Sequence, residues 1–266
     1  MQAPHPRRRT RPRRRGSDLT LPRFDWWRTV FYLIPAITVY TIVFGAASLV
    51  STLFDRSGDF AHRCARAWAS LILRTTGVRV RVTGLSRIDP SRSYIFAANH
   101  QSIYDIPIVF TSLPSQLRIV AKESLGRIPF LGWHLHRAGH LLVDRQNPGA
   151  AIVKKMAKLV GERHSLIVFP EGTRSVDGTV AKFKGGSFVF ALDSGMPIVP
   201  ISIAGSRHVM TKGRLTVCPA EVTVTVHEPI DTVGIGRDAV RELTDRVRDI
   251  VRAQVDEPTH GIIENC

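Results

Sequence analysis

Two short stretches of this chain bring together side chains suited to acid–base and anion chemistry. The first is Asn99-His100-Gln101-Ser102-Ile103-Tyr104-Asp105. Neighbours on a helix face lie three or four residues apart. His100 and Asp105, separated by five, therefore need a turn before the helix begins. Pro107 places that helix start near Asp105. A histidine oriented by a carboxylate is a general-base arrangement, because the carboxylate fixes the tautomer and stabilises the imidazolium. An N-cap role for Asp105 is the structural alternative. The second stretch is Phe169-Pro170-Glu171-Gly172-Thr173-Arg174-Ser175, where an apolar run stops abruptly. Gly172 permits close backbone approach, and Arg174 offers a planar fork matched to phosphate. Glu171 can hold that guanidinium or a ligand hydroxyl; a plain polar turn is the bland reading. Weaker signals are Gly139 to Arg145, an apolar run ending in Asp144-Arg145, and Met196 to Ser202, an apolar run between prolines.

These residues need a scaffold, and the pattern from Gly77 onward supplies one. Strand-like runs cover 78–84, 93–99, 117–122, 140–144, 165–170, 198–205, 214–219 and 221–229. Helical stretches fall near 105–112, 149–163, 185–195 and 237–254. The alternation predicts an α/β domain with a mostly parallel mixed sheet flanked by helices. The last two runs, joined by Pro219-Ala220, are expected to form an antiparallel addition. His100 then stands at the carboxyl end of a strand, where open α/β sheets bind ligands.

Upstream the composition changes. Residues 1–28 hold nine arginines against two aspartates, within a chain of 266 residues and net charge +15. Such a balance calls for an acidic partner. Residues 1–25 read as a disordered basic tail. Residues 29–54 contain no charge, and their 26 residues suffice to cross a bilayer core. Residues 59–75 repeat apolar side chains at helical spacing and read as an amphipathic helix lying in the membrane interface. Together the two segments predict a hairpin anchor over 26–76. Arginines on both flanks place both ends on the cytoplasmic side. A single full crossing is the alternative. The catalytic domain is expected over 77–255, with a tail at 256–266. Cys64, Cys218 and Cys266 show no metal-ligand spacing, and a reducing compartment with packing roles for Cys64 and Cys218 is expected. His134, His136 and His140 lack the partners of a tetrahedral metal set.

In order and separation the four stretches resemble the 1-acyl-sn-glycerol-3-phosphate acyltransferase family of glycerolipid acyltransferases. Asn99, His100, Ser102 and Asp105 match its HX4D block. Gly139, Asp144 and Arg145 match the second block. Phe169 to Ser175 match the third at every position, and Ile198, Val199 and Pro200 the fourth. The resemblance implies that His100 and Asp105 are catalytic. It implies that Arg145, Glu171, Gly172, Thr173 and Arg174 bind the acceptor's glycerol phosphate, with Lys122 and Lys184 as further phosphate ligands. It also implies acyl transfer from acyl-CoA or an acyl-carrier protein to the sn-2 hydroxyl of lysophosphatidic acid at an anionic cell-membrane surface. No metal, organic cofactor or nucleic acid enters that reading. Another lysolipid acceptor, or a non-catalytic basic membrane-binding protein, are the alternatives.

Overall fold

The computed structural model describes residues 24–55, 57–127, 131–137, 139–143 and 164–255. The basic tail up to residue 23, the expected helix at 149–163, Asp144, Arg145 and the tail at 256–266 lie outside them.

Helix α1 (Phe24–Ser51) is, among the described residues, the one helix long and apolar enough to cross a bilayer. Its turn at Thr29–Leu33 is π-helical, with the Ile34 N–H reaching back to the Thr29 carbonyl. Pro35, which lacks an N–H, follows at once; a widened turn accommodates the missing donor. Helix α2 (Asp59–Thr76) runs back against α1. It ends at Gly77, whose φ of 77° suits the left-handed cap.

Seven strands follow: β1 (Arg79–Thr83), β2 (Ile95–Ala98), β3 (Leu117–Lys122), β4 (Leu141–Val143), β5 (Ser165–Val168), β6 (Ile198–Ala204) and β7 (Glu221–Val226). Their order is β1-β7-β6-β2-β5-β3-β4. Every pairing is parallel except β6 with β7. Every residue of β2, β5 and β6 is buried, as central strands covered on both faces must be. Edge strand β1 keeps Arg79 and Arg81 in solvent. Pro200 is tolerated inside β6 because its carbonyl faces the His227 N–H, just beyond the β7 ladder that begins at Ile201.

Helices α3 (Asp105–Ser112), α4 (Leu131–Arg137), α5 (Gly186–Ser194), α6 (Ser206–Val209) and α7 (Val240–Val255) complete the described fold. Two apolar layers enclose the sheet. Ile72, Phe96, Ile108, Ile201 and Val224 belong to one, together with Leu33 of α1. Ile95, Leu166, Phe188, Val247 and Val251 belong to the other.

One expectation is corrected. Residues 214–219 form no strand. The Val217 N–H donates to Thr29 Oγ1, the Val217 carbonyl accepts from Arg28, and the Cys218 N–H goes to Val209. This run is extended but docks on α1, so the antiparallel addition is β7 alone. Helix α2 buries Ala61, Cys64, Ala69, Ile72 and Leu73 and leaves Phe60 and Ala67 exposed. Cys64 is a free, buried packing residue.

Candidate active site

Three adjacent strands, β5, β2 and β6, end at the same edge of the sheet, and the loops leaving them build the site. The loop after β2 opens with Asn99, whose side-chain amide donates to the Ile203 carbonyl at 2.8 Å and accepts the Ile203 N–H at 2.7 Å. Asn99 thus extends the β2–β6 ladder by one step through its side chain and fixes where His100 begins. His100 Nδ1 lies 2.7 Å from Asp105 Oδ2. The same oxygen accepts the N–H groups of Gln101 and Ser102 at 2.8 and 2.9 Å. Asp105 is fully buried, so its charge is matched by the loop it orders and by the imidazole. It opens α3 without capping it. With Nδ1–H donating to the carboxylate, the lone pair of His100 sits on Nε2. The imidazole is about one-sixth exposed, and its ring stacks on Phe169 at 4.2 Å between centroids.

The loop after β5 is tied to the first. Glu171 Oε1 accepts the His100 N–H at 2.7 Å, and Oε2 accepts the Ala181 N–H at 3.1 Å. The Ser175 N–H donates to the His100 carbonyl at 2.7 Å. Burial raises the Glu171 pKa, while the two N–H donors work in the opposite direction. Farther along, Asp177 closes the loop by accepting from Thr179 and Ser175. These bonds hold its pKa down at about 2.

Positive charge gathers at the middle of the loop. Gly172 adopts φ 75°, and a Cβ placed there would meet Lys184 Nζ at 2.8 Å. The Lys184 side chain therefore lies directly over the Gly172 main chain. Lys212 Nζ donates to Thr173 Oγ1 at 3.0 Å and to the Arg174 carbonyl at 2.8 Å. Arg174 itself is half-buried. Among the described residues no carboxylate pairs with Arg174, Lys184 or Lys212. Cations gathered on one loop without a counter-charge are suited to an anion.

The acyltransferase family model matches residues 79–204, the stretch from β1 to the end of β6 that carries both loops. Residues 79–204 are a domain of the acyltransferase family. Over 183 residues the chain is 33% identical to a chloroplastic 1-acyl-sn-glycerol-3-phosphate acyltransferase of Brassica napus, covering 67% of this chain and 53% of that one. Over 232 residues it is 29% identical to a 1-acyl-sn-glycerol-3-phosphate acyltransferase of Saccharomyces cerevisiae, covering 84% and 76%. The chain thus spans about half the length of the plant relative and three quarters of the yeast one. The crystal structure of a 1-acyl-sn-glycerophosphate (LPA) acyltransferase from Thermotoga maritima superposes with a TM-score of 0.75 at 28% identity, covering 89% of this chain and 97% of that one.

Within this acyltransferase domain the structure brings together His100, Asp105, Glu171, Gly172, Thr173, Arg174 and Lys184. Glu171 does a different job from the one expected. Both of its oxygens are occupied by backbone donors, so it fastens one loop to the other and does not point at a ligand. Lys122 closes β3 at the same edge of the sheet. Arg145 lies outside the described residues. Sequence reasoning missed Lys212 and the ring contact of Phe169. A single lysine in Thr211-Lys212-Gly213-Arg214 has no periodicity or spacing to mark it; only the return of the chain after β6 puts it on the loop.

Proposed function

We propose that this chain transfers an acyl group from an acyl thioester to the sn-2 hydroxyl of lysophosphatidic acid, making phosphatidic acid. The observation that carries this reading is the placement of a carboxylate-oriented imidazole beside a loop whose cations, Arg174, Lys184 and Lys212, pair with no carboxylate among the described residues. An acceptor whose phosphate rests on Gly172, Thr173, Arg174 and Lys184 can present its hydroxyl to His100 Nε2. Lys122 and Arg145 join that set by family resemblance. His100 removes the hydroxyl proton as the oxygen attacks the thioester carbonyl, and Asp105 stabilises the imidazolium. The tetrahedral adduct collapses, the C–S bond breaks, and the thiolate leaves. The proton on Nε2 passes to the departing sulfur, so the imidazole is neutral again. No acyl-enzyme is formed, and no metal or organic cofactor is required. Acyl-CoA and acyl-carrier protein present the same thioester.

The membrane part of the proposal rests on α1. Phe31, Tyr32, Val39, Ile42 and Val43 of this helix are each more than half exposed. An apolar face of that extent belongs in lipid. We place it at the cell membrane as one arm of a hairpin anchor over 26–76, preceded by the basic tail 1–25, with the catalytic domain 77–255 on the cytoplasmic face and a tail over 256–266. The inner face of α2 is part of the domain's own core, so the boundary at residue 76 divides roles more than packing.

The test is thiol release from an acyl thioester with lysophosphatidic acid in vesicles, with the product identified by mass spectrometry. Acceptor-dependent release of thiol and formation of phosphatidic acid are expected. Equal turnover on a phosphate-free monoacylglycerol would overturn the acceptor assignment, and no acceptor-dependent release would overturn the activity.

A further inference from the structure

We infer that Lys212 is a phosphate-binding and loop-positioning residue of the site, and a determinant of its preference for a phosphomonoester acceptor. This rests on the acceptor reading above but uses a part of the chain outside the four sequence blocks and beyond residue 204, where the family match ends.

The argument starts from the connection between β6 and β7. After β6 the chain turns at Gly205, where φ is 92° and an added Cβ would lie 2.6 Å from the Glu221 carbonyl oxygen. A residue with a side chain would be pushed off the sheet there; glycine lets the chain double back over the carboxyl edge. Helix α6 follows, and the next residues touch both functional loops. Ser102 Oγ donates to the Met210 carbonyl at 2.9 Å, which fastens the histidine loop. Two residues later Lys212 Nζ holds Thr173 and Arg174 of the anion loop. One short segment therefore sets the spacing between the base and the anion site.

Lys212 can do more than tie. An ammonium has three N–H donors, and two are used on the loop. Its charge stands beside Thr173 while the Lys184 ammonium covers Gly172. The two lysines thus reach neighbouring residues of one loop from two separate later segments of the chain. Both acceptors of Lys212 are neutral, so its charge is not balanced by them. A dianionic phosphomonoester resting on the loop would receive the third donor and the full charge; a phosphate-free acceptor would gain nothing from either.

The experiment compares the full-length wild-type protein with Lys212→Gln and Lys212→Arg on lysophosphatidic acid and on monoacylglycerol in mixed micelles. Lys212→Gln is expected to raise KM for lysophosphatidic acid by tenfold or more, with a smaller change in kcat. Its KM for the thioester should stay near wild type, and its effect on monoacylglycerol should be much smaller than its effect on lysophosphatidic acid. Lys212→Arg should recover part of the lost affinity, because the charge returns with a different donor geometry. Unchanged acceptor KM in Lys212→Gln would overturn the inference while leaving the activity intact. An equal fall on both acceptors would reduce Lys212 to a structural tie and overturn it too. If the wild-type protein releases no thiol with lysophosphatidic acid, the underlying reading fails first and the inference falls with it. Thermal midpoints of the variants within a few degrees of wild type show that the comparison is made on folded protein.

Discussion

Glu171 Oε1 accepts the backbone N–H of His100 at 2.7 Å, so the loop after β5 holds the loop after β2 by its main chain. The carboxylate is buried, and its other oxygen takes the Ala181 N–H. In Glu171→Gln the charge is lost and one backbone N–H faces an amide NH2. Hydrogen bonds to charged groups contribute about 1.5–3 kcal/mol each. We predict a lowered thermal midpoint together with a lowered kcat, and little change in KM for the thioester. Wild-type kcat in a destabilised variant would show that the tie serves stability alone.

His100→Ala should lower kcat by about 10²–10⁴ while the fold is kept. Asp105→Asn should be of comparable severity. Asp105 Oδ2 orders the Gln101 and Ser102 N–H groups as well as the imidazole, and the neutral amide cannot stabilise an imidazolium. Circular dichroism separates loss of fold from loss of chemistry. Near-normal turnover in His100→Ala would remove the general base from the mechanism.

Arg174→Ala should raise the acceptor KM with a smaller effect on kcat. Arg174→Lys should recover only part, because the planar fork is gone. Steady-state kinetics over a range of acceptor concentrations decides this. Equal parameters for all three proteins would take Arg174 out of the anion site.

His62 predicts how stability responds to acid. Burial, followed by the nearby charges of Arg118 and Arg66, lowers its pKa to about 4 from an ordinary value near 6.5. Between those values the unfolded chain binds the proton more readily than the folded one. The stabilisation from keeping His62 neutral is therefore complete above about pH 6.5 and is lost as pH falls towards 4. The thermal midpoint should drop through that window, and His62→Leu should flatten the drop. An identical pH profile in the variant would assign the acid sensitivity elsewhere.

Helix α1 predicts two separable effects. Leu33 is fully buried in the domain core, and Leu33→Ala should destabilise the protein by about 2–5 kcal/mol. Phe31, Ile42 and Val43 are exposed, so replacing all three with serine should weaken flotation with vesicles and leave the thermal midpoint of detergent-solubilised protein near wild type. Undiminished flotation would move the membrane contact away from this face.

Much of the site could be read from residue types because the two main loops follow strands whose apolar runs are continuous. The ends of β2 and β5 are marked in the sequence by Asn99 and Pro170, and parallel pairing puts those ends side by side. The run 214–219 misled for a physical reason: alternation reports an extended backbone but not its partner, and here the partner is Thr29 and Arg28 of a helix. Glu171 was placed in the right loop with the wrong task, since composition does not show where a carboxylate's hydrogen bonds go.

The pairing of β1 with β7 joins residues at opposite ends of the domain, with Arg79 opposite Glu221 and Thr83 opposite Thr225. During synthesis β1 emerges among the first strands but has no neighbour until more than half of the whole chain has followed it. A sheet of such high contact order closes late. Until then β1 and β6 both present unpaired edges. A ribosome-bound chain is therefore aggregation-prone until β7 arrives. Helix α1 precedes all of this, so early capture of that helix by a bilayer would keep the waiting edges apart from those of other nascent chains.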